Sequence, residues 1–442
     1  MVSAFETSQS STAPSSTRPT SLSTTSHSAT AASSKSSLTN SSSPAKSTTV
    51  PTKDKVNGAG VPSPIRGVNL GGWLLLESWL NGDLFQGNFV DAVDEWTFDK
   101  IPGAANVLKT HWQTYFTEAD VQKLASWGIN AVRIPIGYWH YHNSVQNTPY
   151  ISGADYYLEQ AIGWCRQNGI KVLIDIHGSP GSQNGFDNSG HAGTVGWQTG
   201  NNMEITTNVL VEVATKYGAA QFADTVFAIE MTNEEISWGA NDFGKTKTWT
   251  QTTYKKMRAA AANKNLILMM HDGFMGPSNW LDVNTALNGN SAKGSFYLDV
   301  HLYQNQVAAD SKLKQGEHIQ KACDYAKTEF LPASSNLPVV VGEFTGATDI
   351  CANPDGTTSA GKTCSVRDCQ CSATVGIDKW KAPLIAATRK FFEVQMQVYE
   401  THAQGWFMWT YNGPGAWGLA NAVQYGLVGA KVTDRKYTNL CS

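Results

Sequence analysis

Val226-Phe227-Ala228-Ile229-Glu230-Met231-Thr232-Asn233-Glu234 and Pro338-Val339-Val340-Val341-Gly342-Glu343 decide how this chain folds. Each is a short apolar run that ends on a carboxylate. Continuous apolar runs of this length are expected where a strand is buried on both faces, as in a parallel sheet covered by helices. The strands themselves are placed at 226–231 and 339–342, and six further runs of the same kind occur at 67–70, 131–135, 171–176, 266–270, 296–301 and 405–410. Helical patterns separate them, among them 117–127, 154–168, 205–217, 245–262 and 382–402. Strands alternating with helices predict parallel pairing through crossover connections. Eight such units predict an α/β fold, a (β/α)8 TIM barrel with long loops at its C-terminal face.

Each predicted strand ends in a polar or aromatic cluster: Asn69, Arg133, Asp175 with His177, Asn233-Glu234, His271-Asp272, His301 with Tyr303, Glu343, and Trp409. In such a barrel these are the C-terminal strand ends, where active sites are built. Any one of them reads equally well as a structural hydrogen bonder. Eight ends of one character point to a site.

Composition divides the chain unevenly. More than half of residues 1–50 are Ser or Thr, with scattered Pro and no apolar periodicity. Such a segment cannot bury enough apolar surface to offset its ordering entropy, so residues 1–60 are expected to form a disordered tail or stalk. Residues 61–442 are expected to form the barrel domain. The net charge is −3 and charged residues make up 16% of the chain, which leaves no basic patch for nucleic acid. No run is long and apolar enough to span a membrane, and no signal peptide is visible at the N-terminus. A Ser/Thr stalk with no exporting segment suggests that an upstream signal or anchor is missing. Fifteen Trp in a weakly charged chain suit stacking against sugar rings. Of seven cysteines, Cys351, Cys364, Cys369 and Cys371 crowd into one Gly/Thr/Asp-rich insertion, which predicts a disulfide-stapled loop and an oxidising compartment. Cys165, inside a predicted helix, is the expected free thiol.

Two carboxylates carried on strand ends are the minimum equipment for breaking a glycosidic bond: one delivers a proton to the leaving oxygen, the other attacks the anomeric carbon. Glu234 directly follows its strand beside Asn233, which is placed to hold a sugar hydroxyl, and reads as the acid/base. Glu343, with Gly342 permitting close approach, reads as the nucleophile. Alternation directs Glu230 either into the barrel or toward the helices. Arg133 is placed to keep the nucleophile ionised. His177, His301 and Tyr303 are placed to bond sugar hydroxyls or tune the carboxylates, and Trp409 to floor a pyranose ring. His140-Tyr141-His142 looks like a metal-binding pair but follows the second strand and lacks the remaining ligands, so no metal is expected.

With these residues in place, the chain resembles glycoside hydrolase family 5 of clan A, in its fungal exo-β-1,3-glucanase branch, from about Arg66 to Tyr425. The resemblance rests on Arg66-Gly67-Val68-Asn69-Leu70-Gly71-Gly72-Trp73 with Glu77, on Val132-Arg133-Ile134-Pro135, on Asp175-Ile176-His177-Gly178, and on Gln183-Asn184-Gly185-Phe186-Asp187-Asn188. It continues through Asn233-Glu234, His301-Leu302-Tyr303-Gln304, Gly342-Glu343-Phe344 and Trp409. It implies a retaining β-glucanase with Glu234 as acid/base, Glu343 as nucleophile and a covalent glucosyl-enzyme intermediate. It further implies that Glu77, Arg133, His177, Asn233, His301, Tyr303 and Trp409 hold the non-reducing glucose, and that Phe186 is half of an aromatic clamp on the incoming chain. The implied partner is a β-glucan polymer or oligosaccharide, taken from its non-reducing end by a monomer secreted or held at the cell wall. The resemblance also implies that no cofactor is needed. Action on β-1,6-glucan or other β-glucosides, internal cleavage and glucosyl transfer would use the same residues. A catalytically silent wall-binding protein is disfavoured by the intact carboxylate pair. Three positions depart from the family pattern: Glu235 where Pro is usual, Gln306 near the place of the second clamp aromatic, and Thr410-Tyr411-Asn412-Gly413-Pro414-Gly415 after the eighth strand.

Overall fold

The computed structural model describes residues 60–141, 148–289, 294–330 and 337–441. The Ser/Thr-rich segment expected to be disordered, all but its last residue, lies outside the described residues, as does His142. Eight parallel strands close into a barrel: β1 (Ile65–Asn69), β2 (Ala131–Gly137), β3 (Lys171–Gly178), β4 (Val226–Glu230), β5 (Ile267–His271), β6 (Phe296–His301), β7 (Val339–Phe344) and β8 (Gly405–Met408). Each pairs with its sequence neighbours, and β1 closes the ring against β8 through Ile65–Gly405 and Val68–Met408. The predicted runs match these strands with ends displaced by up to two residues, so His177, His271 and Glu343 are the last or near-last residues of strands rather than the residues that follow them.

The barrel interior is built in layers by the two-residue period of the strands. Ile65, Ala131, Leu173, Ala228, Met269, Tyr297, Val340 and Phe407 form an apolar cluster inside the ring. Phe407 fits because Gly67 lacks a side chain: a Cβ there would stand 2.1 Å from the Phe407 ring. Two residues further along five of these strands, on the same inward face, come Arg133, Asp175, Glu230, His271 and Asp299. The interior thus changes from apolar to charged one layer below the C-terminal mouth, and it is this change that sets the site.

The connecting helices pack their apolar faces on the outside of the barrel. The helix Glu118–Ser126 opens with a reciprocal cap between Thr117 and Asp120 and buries Val121 and Leu124. The longest, Ala382–His402, begins with Pro at its second position and buries Leu384, Phe391, Phe392 and Tyr399. Between β7 and this helix the chain makes an excursion containing three short antiparallel strands, Ile350–Ala352, Thr358–Ala360 and Gln370–Cys371. Disulfides Cys351–Cys371 and Cys364–Cys369 staple it, and Cys323–Cys441 ties the C-terminus to the helix Gln315–Tyr325. Cys165 is a buried free thiol, as its sequence position predicts.

Candidate active site

Arg133 organises the mouth of the barrel. It is fully buried, and its guanidinium donates to Glu230 (Nε to Oε2, 2.7 Å), Asn69 (3.0 Å), Asn233 (2.8 Å) and Glu343 (Nη1 to Oε1, 2.9 Å), with Asp175 at 3.1 Å. Burial alone would depress the guanidinium's pKa, but Asp175, Glu230 and Glu343 around it raise it further above its ordinary value. Glu230, whose direction alternation left open, faces into the barrel and is spent on Arg133.

Glu343 accepts from Arg133 at one oxygen and from the Tyr303 hydroxyl at the other, 2.6 Å away. Its backbone approach depends on Gly342, where a Cβ would stand 1.9 Å from the Asp299 carboxylate. Burial pushes the Glu343 pKa above the ordinary carboxylate range, and the charges of His301 and Arg133 hold that rise in check.

Glu234 faces it from the loop after β4. Its φ of 46° lies in the left-handed region, a conformation that a non-glycine residue holds only where the surroundings enforce it and that clusters at functional sites. Gln183 does the enforcing: its side-chain amide nitrogen donates to the backbone carbonyls of His177 and Asn233, and its backbone carbonyl accepts from the Ile236 N–H. Asn188 donates to Glu234 Oε2 (2.9 Å) and His301 Nδ1 meets Oε1 at 2.8 Å. Burial works to raise the Glu234 pKa. Hydrogen bonds from His301 and Asn188, with the charges of His301 and His177, reverse this and hold it below the ordinary value. The same His301 nitrogen lies 3.4 Å from Glu343 Oε2, so one imidazole bridges both carboxylates. Burial disfavours its charge, yet Glu343, Asp299 and Glu234 hold its pKa well above the ordinary histidine value.

The remaining predicted residues ring this centre. His177 bonds Asp175 through Nδ1 (2.5 Å) and meets the Asn233 amide at Nε2 (3.3 Å). Trp409 stacks on His177 with ring centroids 5.5 Å apart. Glu77 is buried and accepts from Trp79 Nε1 at 2.9 Å; burial and the nearby Asp187 push its pKa well up. Phe186 stands 44% exposed two residues before Asn188. Trp79, Trp417 and Asp299 adjoin this centre without having been named from the sequence, and Gln183 and Asn188 were quoted in a motif but given no role. Asp299 alone carried a usable signal, because it sits two residues before His301 on one strand face.

Glu235, the departure beside Glu234, turns away from the cleft. It is fully buried behind His271 and Gly273, with His271 Nδ1 at 3.8 Å and neither oxygen hydrogen-bonded. Burial and the neighbouring Asp272 push its pKa well above the ordinary carboxylate range. His140 is likewise structural, buried against the Leu74 carbonyl at 3.3 Å, with burial lowering its pKa to about 3. Glu234, His271 and His301, and separately Glu230, Asp299 and His301, bring potential ligand atoms within 4.8 Å of one another. His301, common to both sets, meets Glu234 at 2.8 Å and lies 3.4 Å from both Asp299 and Glu343, and the arrangement reads as a network of ion pairs.

The comparisons agree with this geometry. The family model described as Cellulase (glycosyl hydrolase family 5) matches residues 91–412. A chain of Aspergillus niger described as probable glucan 1,3-beta-glucosidase A is 36% identical over 394 residues, covering 86% of this chain and 90% of the relative. Glucan 1,3-beta-glucosidase of Blumeria graminis is 35% identical, covering 85% and 89%, and glucan 1,3-beta-glucosidase 1 of Schizosaccharomyces pombe is 34% identical, covering 85% and 90%. Among solved structures, the rutinosidase of Aspergillus niger superposes with a TM-score of 0.65 at 20% identity, over 82% of this chain and 97% of that one, and so shares the fold. A family model spanning most of the barrel and relatives of this identity over most of their length place the chain in glycosyl hydrolase family 5, the family to which it belongs.

Proposed function

We propose that the chain is a retaining β-glucosidase of β-1,3-glucan that releases glucose from non-reducing ends. The observation that carries the reaction type is His301 Nδ1 between Glu234 at 2.8 Å and Glu343 at 3.4 Å. The nearest oxygens of the two carboxyls are separated by no more than the sum of those distances. That ceiling accommodates the spacing of roughly 5 Å that a retaining enzyme needs between its two carboxyls. The names of the relatives support β-1,3-glucan as substrate.

In this reading Glu343, ionised and aligned by Arg133 and Tyr303, attacks the anomeric carbon as Glu234 protonates the departing oxygen. Water activated by Glu234 then releases the sugar. Glu234 and His301 share one proton along their 2.8 Å bond. In the open cleft it resides on His301. A glycosidic oxygen seated against Glu234 draws it across to the carboxyl, which becomes the acid. Asn233, His177 and Glu77 meet the sugar hydroxyls, Trp409 floors the ring and Phe186 flanks the departing chain. The Ser/Thr-rich residues 1–60 serve as a tether to a barrel of 61–442. Three disulfides support a place outside the cell or in its wall.

The pH dependence follows with a definite sign. Glu343 must be ionised, and its pKa lies above 4.5, so activity is lost as pH falls through a value above 4.5. The Glu234–His301 pair must hold one proton, and His301 lies well above 6.5, so activity is lost as pH rises through a value above 6.5. A kcat/KM profile on laminaribiose should be a bell with both limbs beyond those ordinary values, and His301→Ala should bring the alkaline limb down. An alkaline limb at or below 6.5 in the wild type would contradict the shared proton. Glu235→Gln, which alters a buried group turned away from the cleft, should leave this bell in place and stability within roughly 1 kcal/mol of wild type. Movement of either limb would mean that Glu235 is coupled to the catalytic pair. The substrate assignment is tested by products over time on laminarin, pustulan and lichenan: glucose alone from laminarin supports it, and a ladder of oligosaccharides refutes it.

A further inference from the structure

A cavity of about 510 Å³ opens on the same face of the barrel, beside the catalytic pocket but outside it. Three of its walls are loops that leave the C-terminal ends of β6, β7 and β8, represented by Asn305, by Thr348 with Asp349, and by Trp417. The fourth is the disulfide-stapled excursion, which contributes Ala373 and Trp380. Trp417 is the partition between the two spaces. Its ring lies 5.6 Å from that of Tyr303, the partner of Glu343, and 5.1 Å from that of Trp79, the partner of Glu77.

The chemistry of the lining selects a class of ligand. Among the described residues lining the cavity, Asp349 is the charged one, and Lys362 Nζ offsets it at 3.3 Å, so nothing there attracts an ionic ligand. Two indoles and several hydroxyl and amide groups remain, the mixture that receives the apolar faces and hydroxyl edges of neutral sugars. Asn305, fixed by its Nδ2 donating to the Ala347 carbonyl at 3.1 Å, is one of the amides of that lining.

The walls are also fixed in advance. The Cys351–Cys371 disulfide anchors the excursion one residue before Ser372, whose hydroxyl donates to the Thr348 carbonyl at 2.5 Å. Trp380 Nε1 donates to the Val375 carbonyl at 2.8 Å. A preformed cavity avoids the ordering cost that a mobile one would charge against binding.

We propose that this cavity is a second glycan-binding site, which holds a segment of neutral β-glucan beside the catalytic pocket without cleaving it. The proposal rests on the β-glucan reading given above. Its effect is local: a polymer held at the second site presents its chain ends to the first at raised effective concentration, whereas a disaccharide gains nothing.

Ala373 is exposed on the cavity wall, and Ala373→Trp fills the space without entering the catalytic pocket. Thr374→Trp, on the same exposed wall, is the independent second variant. With Glu343→Ala as the background, affinity electrophoresis in laminarin gels should give an apparent Kd about tenfold weaker for either filled variant. In the active background, kcat/KM on laminarin should fall by a similar factor while kcat/KM on laminaribiose and the Tm stay at wild-type values. Unchanged retardation, or an effect with only one variant, overturns the second site. An equal loss on laminaribiose also overturns it, because the cavity would then be part of the catalytic pocket. A wild-type enzyme that fails to hydrolyse laminaribiose would instead indict the functional reading on which the proposal rests.

Discussion

Glu343→Ala and Glu234→Ala are each expected to lower laminarin hydrolysis by about 10⁴-fold or more, because each removes a group that acts in the bond-breaking step itself. The two losses should differ in character. Without Glu343 there is nothing to form the intermediate, and activated leaving groups bring no relief. Without Glu234 an activated aryl β-glucoside still glucosylates the enzyme, and azide then replaces the water that Glu234 no longer activates, so that β-glucosyl azide accumulates. Both variants should keep the wild-type fold, since Arg133 retains Glu230 and Asp175 as counter-charges when Glu343 is removed and Glu234 lies in the loop after β4. Chromatography and anomeric assignment of the azide product check the result. Near-wild-type turnover in either variant, or an α-azide from Glu234→Ala, would refute the assignment.

Arg133→Met is expected to have the second largest effect, this time on stability. One fully buried guanidinium compensates Glu230, Asp175 and Glu343, and its removal strands buried carboxylates without a counter-charge. Breaking a buried ion pair by deleting one partner costs about 3–5 kcal/mol. The loss should depend on pH. Stranded carboxylates have raised pKa values in the folded state, so the folded variant binds more protons than its unfolded chain and its stability falls as pH rises. Urea unfolding between pH 4 and pH 8 should therefore show the deficit shrinking toward the acid end. A variant within about 1 kcal/mol of wild type across that range would mean that Arg133 does not hold the network together.

Much of this was legible in the sequence because the barrel repeats one rule eight times. Buried parallel strands leave continuous apolar runs, and the residue at the end of each run is at the mouth, so Arg133, Glu343 and His301 were placed at the mouth by position, whereas Trp409 was assigned to the sugar site by the family resemblance. The rule fails where a strand gives way to a loop. Glu234 and Glu235 are neighbours with the same side chain, yet one enters the cleft and the other is sealed behind His271. Their difference comes from the left-handed backbone at Glu234, which Gln183 enforces from fifty residues away. No local pattern encodes that contact. Asn188, Trp79 and Trp417 were given no role for the same reason: loops of three separate βα units carry them, and only closure of the ring brings them together. Glu230 was ambiguous because alternation fixes a face only once the barrel interior is known. Asp299 was readable in principle, since two residues along a strand from His301 is the same face.

The electrostatics could not be read at all without the fold. A histidine whose pKa is raised between two carboxylates, one lowered and one raised in pKa, depends on distances that sequence spacing does not contain. The mechanism that follows makes Glu343 a nucleophile and His301 the proton store for its partner.

Covalent trapping tests this most directly. A 2-deoxy-2-fluoro-β-glucoside with an activated leaving group slows breakdown of the intermediate more than its formation, and so leaves the sugar on the nucleophile. Mass spectrometry of the inactivated enzyme should show one fluoroglucosyl group, carried on the peptide containing Glu343. A label on the peptide containing Glu234, or continued turnover with no label, would contradict the account.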